Sequence, residues 1–300
     1  MRIVFFGTSS FAAKVLKYLL ANDAGVVAVV TRPDKPQGRS SKLTAPPVKD
    51  VAGNLPVYQP IKASTDDFAS QLKDIRPDLF VVVAYGEIIK KNILDIPSKG
   101  CINVHASLLP KYRGAAPMQR CLMQGEKETG VTIMEMDVGL DSGPILEVAT
   151  IDVPLEMTFG ELEMKMFDQS CPALLRVIHA LEIGSIEKKP QDHSLATYAA
   201  KITPVDEEIH WDKTAEEIHN QIRALSPKPG AFCTITINGE KKRLKILRTY
   251  PTEEGFSVPG KTGFLQLLDV QLEGKNPMKA EDFLRGLQGK SLIFVKDGEG

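Results

Sequence analysis

The 300-residue chain carries 37 Lys and Arg against 38 Asp and Glu, a formal net charge of -1, with 43% hydrophobic and 25% charged residues. That balance excludes a disordered or fibrous chain and provides no global field for nucleic acid or membrane, so an anionic partner has to be met by a local basic patch. The length suits two domains, or one domain with additions, and is ample for a sizeable core.

The first half alternates strand and helix. Ile3–Phe6 reads as a buried strand, and Gly7-Thr8-Ser9-Ser10 turns into a helix near Phe11–Leu20, with Ser9 or Ser10 as N-cap. Val26–Thr31, Leu79–Ala84 and Cys101–His105 are further short apolar strands. Such β-branched runs between helical patterns predict an α/β fold: a Rossmann-like, mostly parallel sheet with helices on both faces. Val131–Met136 and Ile145–Val153 add strands, and Thr158–Gly184 reads as one long helix interrupted by Pro172. Residues 185–205 lose apolar periodicity and read as a linker between a domain at 1–184 and another at 206–300.

In the second domain a helix is expected at Thr214–Ala224. Ala231–Ile237 and Lys242–Thr249 then flank Asn238-Gly239, a strong hairpin signal. Strands at Gly263–Leu268 and Ser291–Val295 complete a small β-rich unit, expected to be a barrel. The cysteines, Cys101, Cys121, Cys171 and Cys233, form no C-x-x-C pair and no metal spacing, and read as reduced, buried thiols of a cytoplasmic protein without signal peptide or membrane span.

The most informative stretch is 101–117. It puts the amide of Asn103 and the imidazole of His105 on one face of a strand that ends in a Pro- and Gly-rich loop. Ligands of open parallel sheets bind at that edge, and an amide donor beside a proton-moving imidazole is a minimal kit for acyl transfer. The loop Met136-Asp137-Val138-Gly139-Leu140-Asp141-Ser142-Gly143 follows another strand with two acids and two glycines. An aspartate from it would orient the imidazole and select its tautomer. Tyr85-Gly86 ends the third strong strand, where backbone without a side chain could lie against a flat ring, or simply turn into a helix. The insertion from Arg32 to Lys42 is basic and punctuated by proline and glycine; it is either solvated surface or a place for phosphates. Lys241-Lys242-Arg243-Leu244-Lys245 is a second basic tract. The turn after the first strand lacks the second and third glycines of a dinucleotide fingerprint, and no G-x-S-x-G elbow, Walker loop or metal-spaced histidine pair is present.

Together these residues resemble the folate-dependent formyltransferases, and within them the branch acting on initiator methionyl-tRNA. Carrying the resemblance are Ser107-Leu108-Leu109-Pro110-x-Tyr112-Arg113-Gly114-Ala115-Ala116-Pro117, Gly130-Val131-Thr132-Ile133-Met134 and Met136-Asp137-x-Gly139-Leu140-Asp141-Ser142-Gly143. The Pro33-Asp34-Lys35-Pro36-x-Gly38-Arg39 insertion resembles the tRNA-specific loop, and the C-terminal part an OB-type tRNA-binding domain. The resemblance implies formyl transfer from 10-formyltetrahydrofolate, as co-substrate and without metal, to the methionine amino group of initiator methionyl-tRNA. It puts catalysis on Asn103, His105 and Asp141, and folate contacts on Ser107, Leu108, Leu109, Pro110, Tyr85 and Gly86. Contacts to tRNA fall on Arg39, Lys42 and Lys35. A monomer is expected. Formylation of a small amine, hydrolysis of the formyl folate and non-catalytic tRNA binding remain as alternatives.

Overall fold

The structure, a computed structural model, describes residues 1–37 and 42–295. It divides into two compact units: Met1–Ala115, Gly130–Ile151 and Lys165–Tyr198 form the first, and Ala116–Thr129, Asp152–Met164 and Ala199–Gly300 the second. None of the described helices is long and apolar enough to cross a membrane.

In chain order the first ten strands are β1 (Ile3–Gly7), β2 (Val26–Val30), β3 (Lys35–Gln37), β4 (Lys42–Thr44), β5 (Val57–Tyr58), β6 (Leu79–Val83), β7 (Cys101–His105), β8 (Arg113–Gly114), β9 (Glu128–Glu135) and β10 (Ile145–Asp152). The first unit is built on a seven-stranded sheet of order β10-β9-β7-β6-β1-β2-β5. β1, β2, β5, β6 and β7 are parallel, and β1 and β6 are buried along their whole length. Each fully buried Val or Phe side chain contributes about 1.5–3 kcal/mol. Helix Ser10–Ala21 starts where Ser9 Oγ accepts from the Ala12 amide at 3.2 Å, an N-cap worth roughly 0.5–2 kcal/mol. A Cβ on Gly7 would lie 2.8 Å from that of Ala12, so only glycine lets the helix begin this close to the strand.

β9 departs from the parallel pattern. It runs antiparallel to β7, with His105 opposite Thr132 and Ile102 opposite Glu135. Its C-terminal end therefore lies beside the start of β7, not beside His105. The insertion after β2 contains β3 paired antiparallel with β4 and is followed by helix Pro47–Val51. Residues 185–205 are not a plain tether. Lys189 and Ile145 exchange backbone hydrogen bonds, and the Thr197 carbonyl and hydroxyl accept from the Arg113 and Tyr112 amides. Three of these four bonds are backbone to backbone, and such bonds leave no apolar period in the sequence.

β11 (Tyr198–Ala199), which pairs with β8, is followed by the strands of the second unit: β12 (Phe232–Ile237), β13 (Glu240–Tyr250), β14 (Ser257–Pro259), β15 (Phe264–Leu272), β16 (Met278–Lys279) and β17 (Leu292–Phe294). The last six form an antiparallel sheet of order β14-β15-β13-β12-β17, with β16 on β15, curled into half a barrel. Ile237 pairs with Glu240 across Asn238 (φ 48°) and Gly239 (φ 85°), the two left-handed residues that the Asn-Gly signal predicts. Helix Ala215–Leu225 contributes Ile218, Ile222 and Leu225 to the core of this sheet. Its other face is polar yet buried. His219 Nδ1 lies 2.9 Å from Thr249 Oγ1 and Nε2 2.9 Å from the Leu155 carbonyl, while Arg223 donates to Asn220 Oδ1 and to the Pro154 carbonyl.

Candidate active site

The imidazole of His105, at the end of β7, is 5% exposed. Its Nε2 lies 2.9 Å from the Tyr112 carbonyl oxygen. A carbonyl only accepts, so Nε2 carries the proton. Nδ1 faces Asp141 Oδ2 at 3.6 Å and is the nitrogen left for proton exchange. Asn103, two residues back on the same face, is half-buried, and its side-chain amide makes no hydrogen bond among the described residues.

Asp141 reaches this place by a route the sequence did not suggest. Because β9 ends beside Cys101, where the Met136 amide donates to the Cys101 carbonyl at 2.7 Å, residues 136–143 fold back along β7 by roughly three residues, or about 10 Å, to reach His105. Asp137 shapes the fold-back by accepting from the Gly139 amide at 2.9 Å and the Ser142 hydroxyl at 2.8 Å. A Cβ on Gly143 would sit 2.0 Å from the Glu135 carbonyl oxygen, so this crossing requires glycine. Asp141 itself takes the left-handed conformation (φ 48°). Its Oδ2 accepts from the Gly114 amide at 2.8 Å, and its backbone carbonyl from Gln191 Nε2 at 2.9 Å. A separate cavity of about 720 Å³, lined by Gly100, Cys101, Met136, Asp137 and Lys188, opens at the other end of β7. None of Asn103, His105 and Asp141 lines it.

Ser107 is fully buried, and its hydroxyl is committed to the Lys111 carbonyl at 2.7 Å; it closes the loop instead of facing outward. Leu109 is buried, while Leu108 and Pro110 are half-buried and offer apolar surface. Thr132, fully buried opposite His105, donates to the Ser107 carbonyl at 2.7 Å and accepts from the Leu109 amide at 3.1 Å. Tyr85 turns its ring into the core, edge-on to Phe6 at 5.5 Å, and burial pushes its hydroxyl pKa well up. What this strand end presents is backbone at Ala84 (φ 43°) and Gly86 (φ 79°), with the Gly86 carbonyl accepting from Arg32 Nη1 at 3.0 Å.

Lys35 stands exposed on β3. The Lys42 backbone lies on β4, while its side chain, and Arg39 altogether, fall outside the described residues. The base of the insertion is fixed by Asp34, whose carboxylate accepts from Gln59 Nε2 at 2.7 Å and from Lys49 Nζ at 2.8 Å; these partners hold its pKa below the usual carboxylate value.

Three residues without a role in the sequence reading complete the site: Thr132, the Tyr112 carbonyl and Gln191. Gln191 is 6% exposed and donates to the carbonyls of both Asp141 and Gly143. Only spatial pairing across 50 residues reveals it, since the residues around it carry no pattern.

A mostly parallel sheet with helices on both faces, carrying an amide and an imidazole on one strand face with a carboxylate 3.6 Å from the imidazole, suits group transfer of the acyl type. The chain belongs to the formyl transferase family: the formyl transferase model matches residues 1–178 and the formyl transferase C-terminal domain model residues 201–288. Among curated relatives, it is 47% identical over 311 residues to the methionyl-tRNA formyltransferase of Protochlamydia amoebophila, covering 98% of each chain. It is 44% identical to that of Syntrophomonas wolfei, covering 100% of each. Among solved structures, the fold is shared with WlaRD, a sugar 3N-formyl transferase crystallised with dTDP and 5-N-formyl-THF (TM-score 0.67, 23% identity, 92% of this chain and 99% of that one). It is also shared with a methionyl-tRNA formyltransferase from Clostridium thermocellum (TM-score 0.58, 21% identity, 91% and 98%).

Proposed function

We infer that this chain transfers the formyl group of 10-formyltetrahydrofolate to the α-amino group of methionine on initiator methionyl-tRNA, for translation initiation. The observation that carries this reading is the likeness to the Protochlamydia enzyme, which spans 98% of both chains and so both units. In the reaction the neutral amine attacks the formyl carbon, a C–N bond forms and the carbonyl oxygen becomes an oxyanion. The uncommitted Asn103 amide donates to that oxygen. His105 takes the amine proton at Nδ1 while Nε2 stays on Tyr112, and Asp141 faces the imidazolium so formed. The proton then passes to the folate nitrogen as its bond to the formyl carbon breaks. No covalent enzyme intermediate is required.

Leu108, Leu109 and Pro110, with the Tyr85-Gly86 backbone, serve the folate ring in this reading; Ser107 shapes the loop. Lys35, Arg39 and Lys42 meet the acceptor end of the tRNA. Residues 1–184 form the catalytic domain, 185–205 connect, and 206–300 form the tRNA-binding domain. The enzyme works as a cytoplasmic monomer.

The test is formyl transfer from 10-formyltetrahydrofolate to methionyl initiator tRNA, with Asn103→Ala as control. Product from the unsubstituted chain and a drop of about a hundredfold to a thousandfold in kcat for the variant are expected. Folate turnover without formylated tRNA would replace this reading with hydrolysis or transfer to a small amine.

A further inference from the structure

Arg113 is 4% exposed, and no carboxylate pairs with it among the described residues. Its Nε and Nη2 donate to Gln191 Oε1 at 3.3 and 2.7 Å, and Nη2 also lies 3.0 Å from His193 Nδ1. A guanidinium out of water is costly unless its donors are used, and here two of its nitrogens are used to lock one neutral amide. That lock fixes which end of Gln191 points where. With Oε1 taken by the cation, Nε2 must face the other way. There it donates to the Asp141 carbonyl at 2.9 Å and the Gly143 carbonyl at 2.7 Å, on either side of Ser142. Asp141 stands in the left-handed region (φ 48°), which aspartate enters more readily than most residues with a Cβ, and hydrogen bonds at both its carboxylate and its carbonyl hold it there. The Gly114 amide holds the carboxylate; Gln191 holds the backbone beneath it.

We propose that Arg113 and Gln191 are positioning residues of the reaction: a buried cation–amide relay that sets the Asp141 carboxylate against His105 Nδ1. The inference rests on the assignment of Asp141 to catalysis. Neither residue touches a substrate in this scheme; both act through Asp141. Arg113 sets the amide orientation, and the amide sets the loop.

The variant Gln191→Glu separates the two ends of the relay. A carboxylate keeps the partner for Arg113 but has no N–H for the Asp141 and Gly143 carbonyls and is repelled by them, so thermal unfolding of the variant is read beside its kinetics. The expected result is kcat lower by about tenfold to a hundredfold, the scale of a reacting group misplaced by about 1 Å, with KM for the folate and for the tRNA within about twofold. Gln191→Met, which removes both ends, should lose at least as much activity and also lower the melting temperature. The deciding measurement is the double variant Gln191→Glu with Asp141→Ala. If the amide acts through Asp141, the second substitution adds less than about twofold to the loss from Asp141→Ala alone. A merely structural amide would give multiplicative losses, which would overturn the proposal, as would unchanged kcat in Gln191→Glu. A fully active Asp141→Ala protein would instead remove the catalytic assignment on which the relay depends, and is read from the same series.

Discussion

His105 Nε2 lies 2.9 Å from the Tyr112 carbonyl oxygen, which leaves Nδ1 as the ring nitrogen for the proposed proton transfer. Glutamine can place its amide nitrogen near the Nε2 position but has nothing at Nδ1. His105→Gln should therefore keep the Tyr112 contact and the melting temperature while kcat falls by about 10²–10⁴-fold, the range of a lost general acid–base. Single-turnover formyl transfer and thermal unfolding on the same sample check both halves.

Thr132 bridges the Ser107 carbonyl and the Leu109 amide from a fully buried position. Thr132→Val keeps the shape and strands both groups, at about 1–3 kcal/mol for each. Denaturant unfolding should show that loss. The folate KM should also rise, because the loop that the bridge shapes is the one proposed to meet the folate.

His219 is held neutral by burial: desolvation lowers its pKa from 6.5, against the opposing hydrogen bond to Leu155. The sign follows from proton counting. Below pH 6.5 the unfolded chain takes up a proton at this residue that the folded chain resists, so stability falls as pH drops through and below that value. His219→Asn should cost stability at neutral pH, through the stranded Leu155 carbonyl, and flatten the decline in melting temperature between pH 6.5 and 5. A steeper decline in the variant would contradict this.

Gly239 has φ 85°, and a Cβ placed on it would meet nothing within 4 Å, so Gly239→Ala tests backbone strain alone. A loss of about 1–2 kcal/mol is expected by equilibrium unfolding. An unchanged midpoint would mean that the hairpin relaxes to another turn.

If Lys35 meets a phosphate, Lys35→Ala should weaken tRNA binding and reduce the slope of log K against log salt by about 0.7–0.9, one counterion's worth. A titration of affinity between about 50 and 200 mM salt, the range over which such contacts lose most, reads this directly.

Much of this was legible in local pattern. A serine cap at Ser9 or Ser10, which the structure puts on Ser9, the Asn238-Gly239 turn and the i, i+2 pair Asn103 and His105 follow from rules acting over two to four residues. The path of Asp141 did not follow. Two loops that each come after a strand suggest one shared edge, whereas β9 is antiparallel and its loop doubles back, a matter of strand direction that no short window encodes. Gln191 was silent, and Thr132 stood in a motif without a role, for a related reason: their meaning lies in hydrogen bonds spanning 50 and 23–25 residues. At Tyr85-Gly86 the sequence pointed to backbone, and the strand end does present backbone, the Tyr85 ring being packed edge-on to Phe6.

Tyr112, Arg113 and Gly114 are consecutive. The first grips the imidazole through its carbonyl, the last grips the Asp141 carboxylate through its amide, and the side chain between them grips Gln191. The His105 imidazole and the Asp141 carboxylate are thus both tied to one three-residue segment, not to two. A displacement of that segment as a whole is expected to shift both groups together and to change the gap between them little. Sensitivity is expected instead wherever a change alters the segment's internal shape.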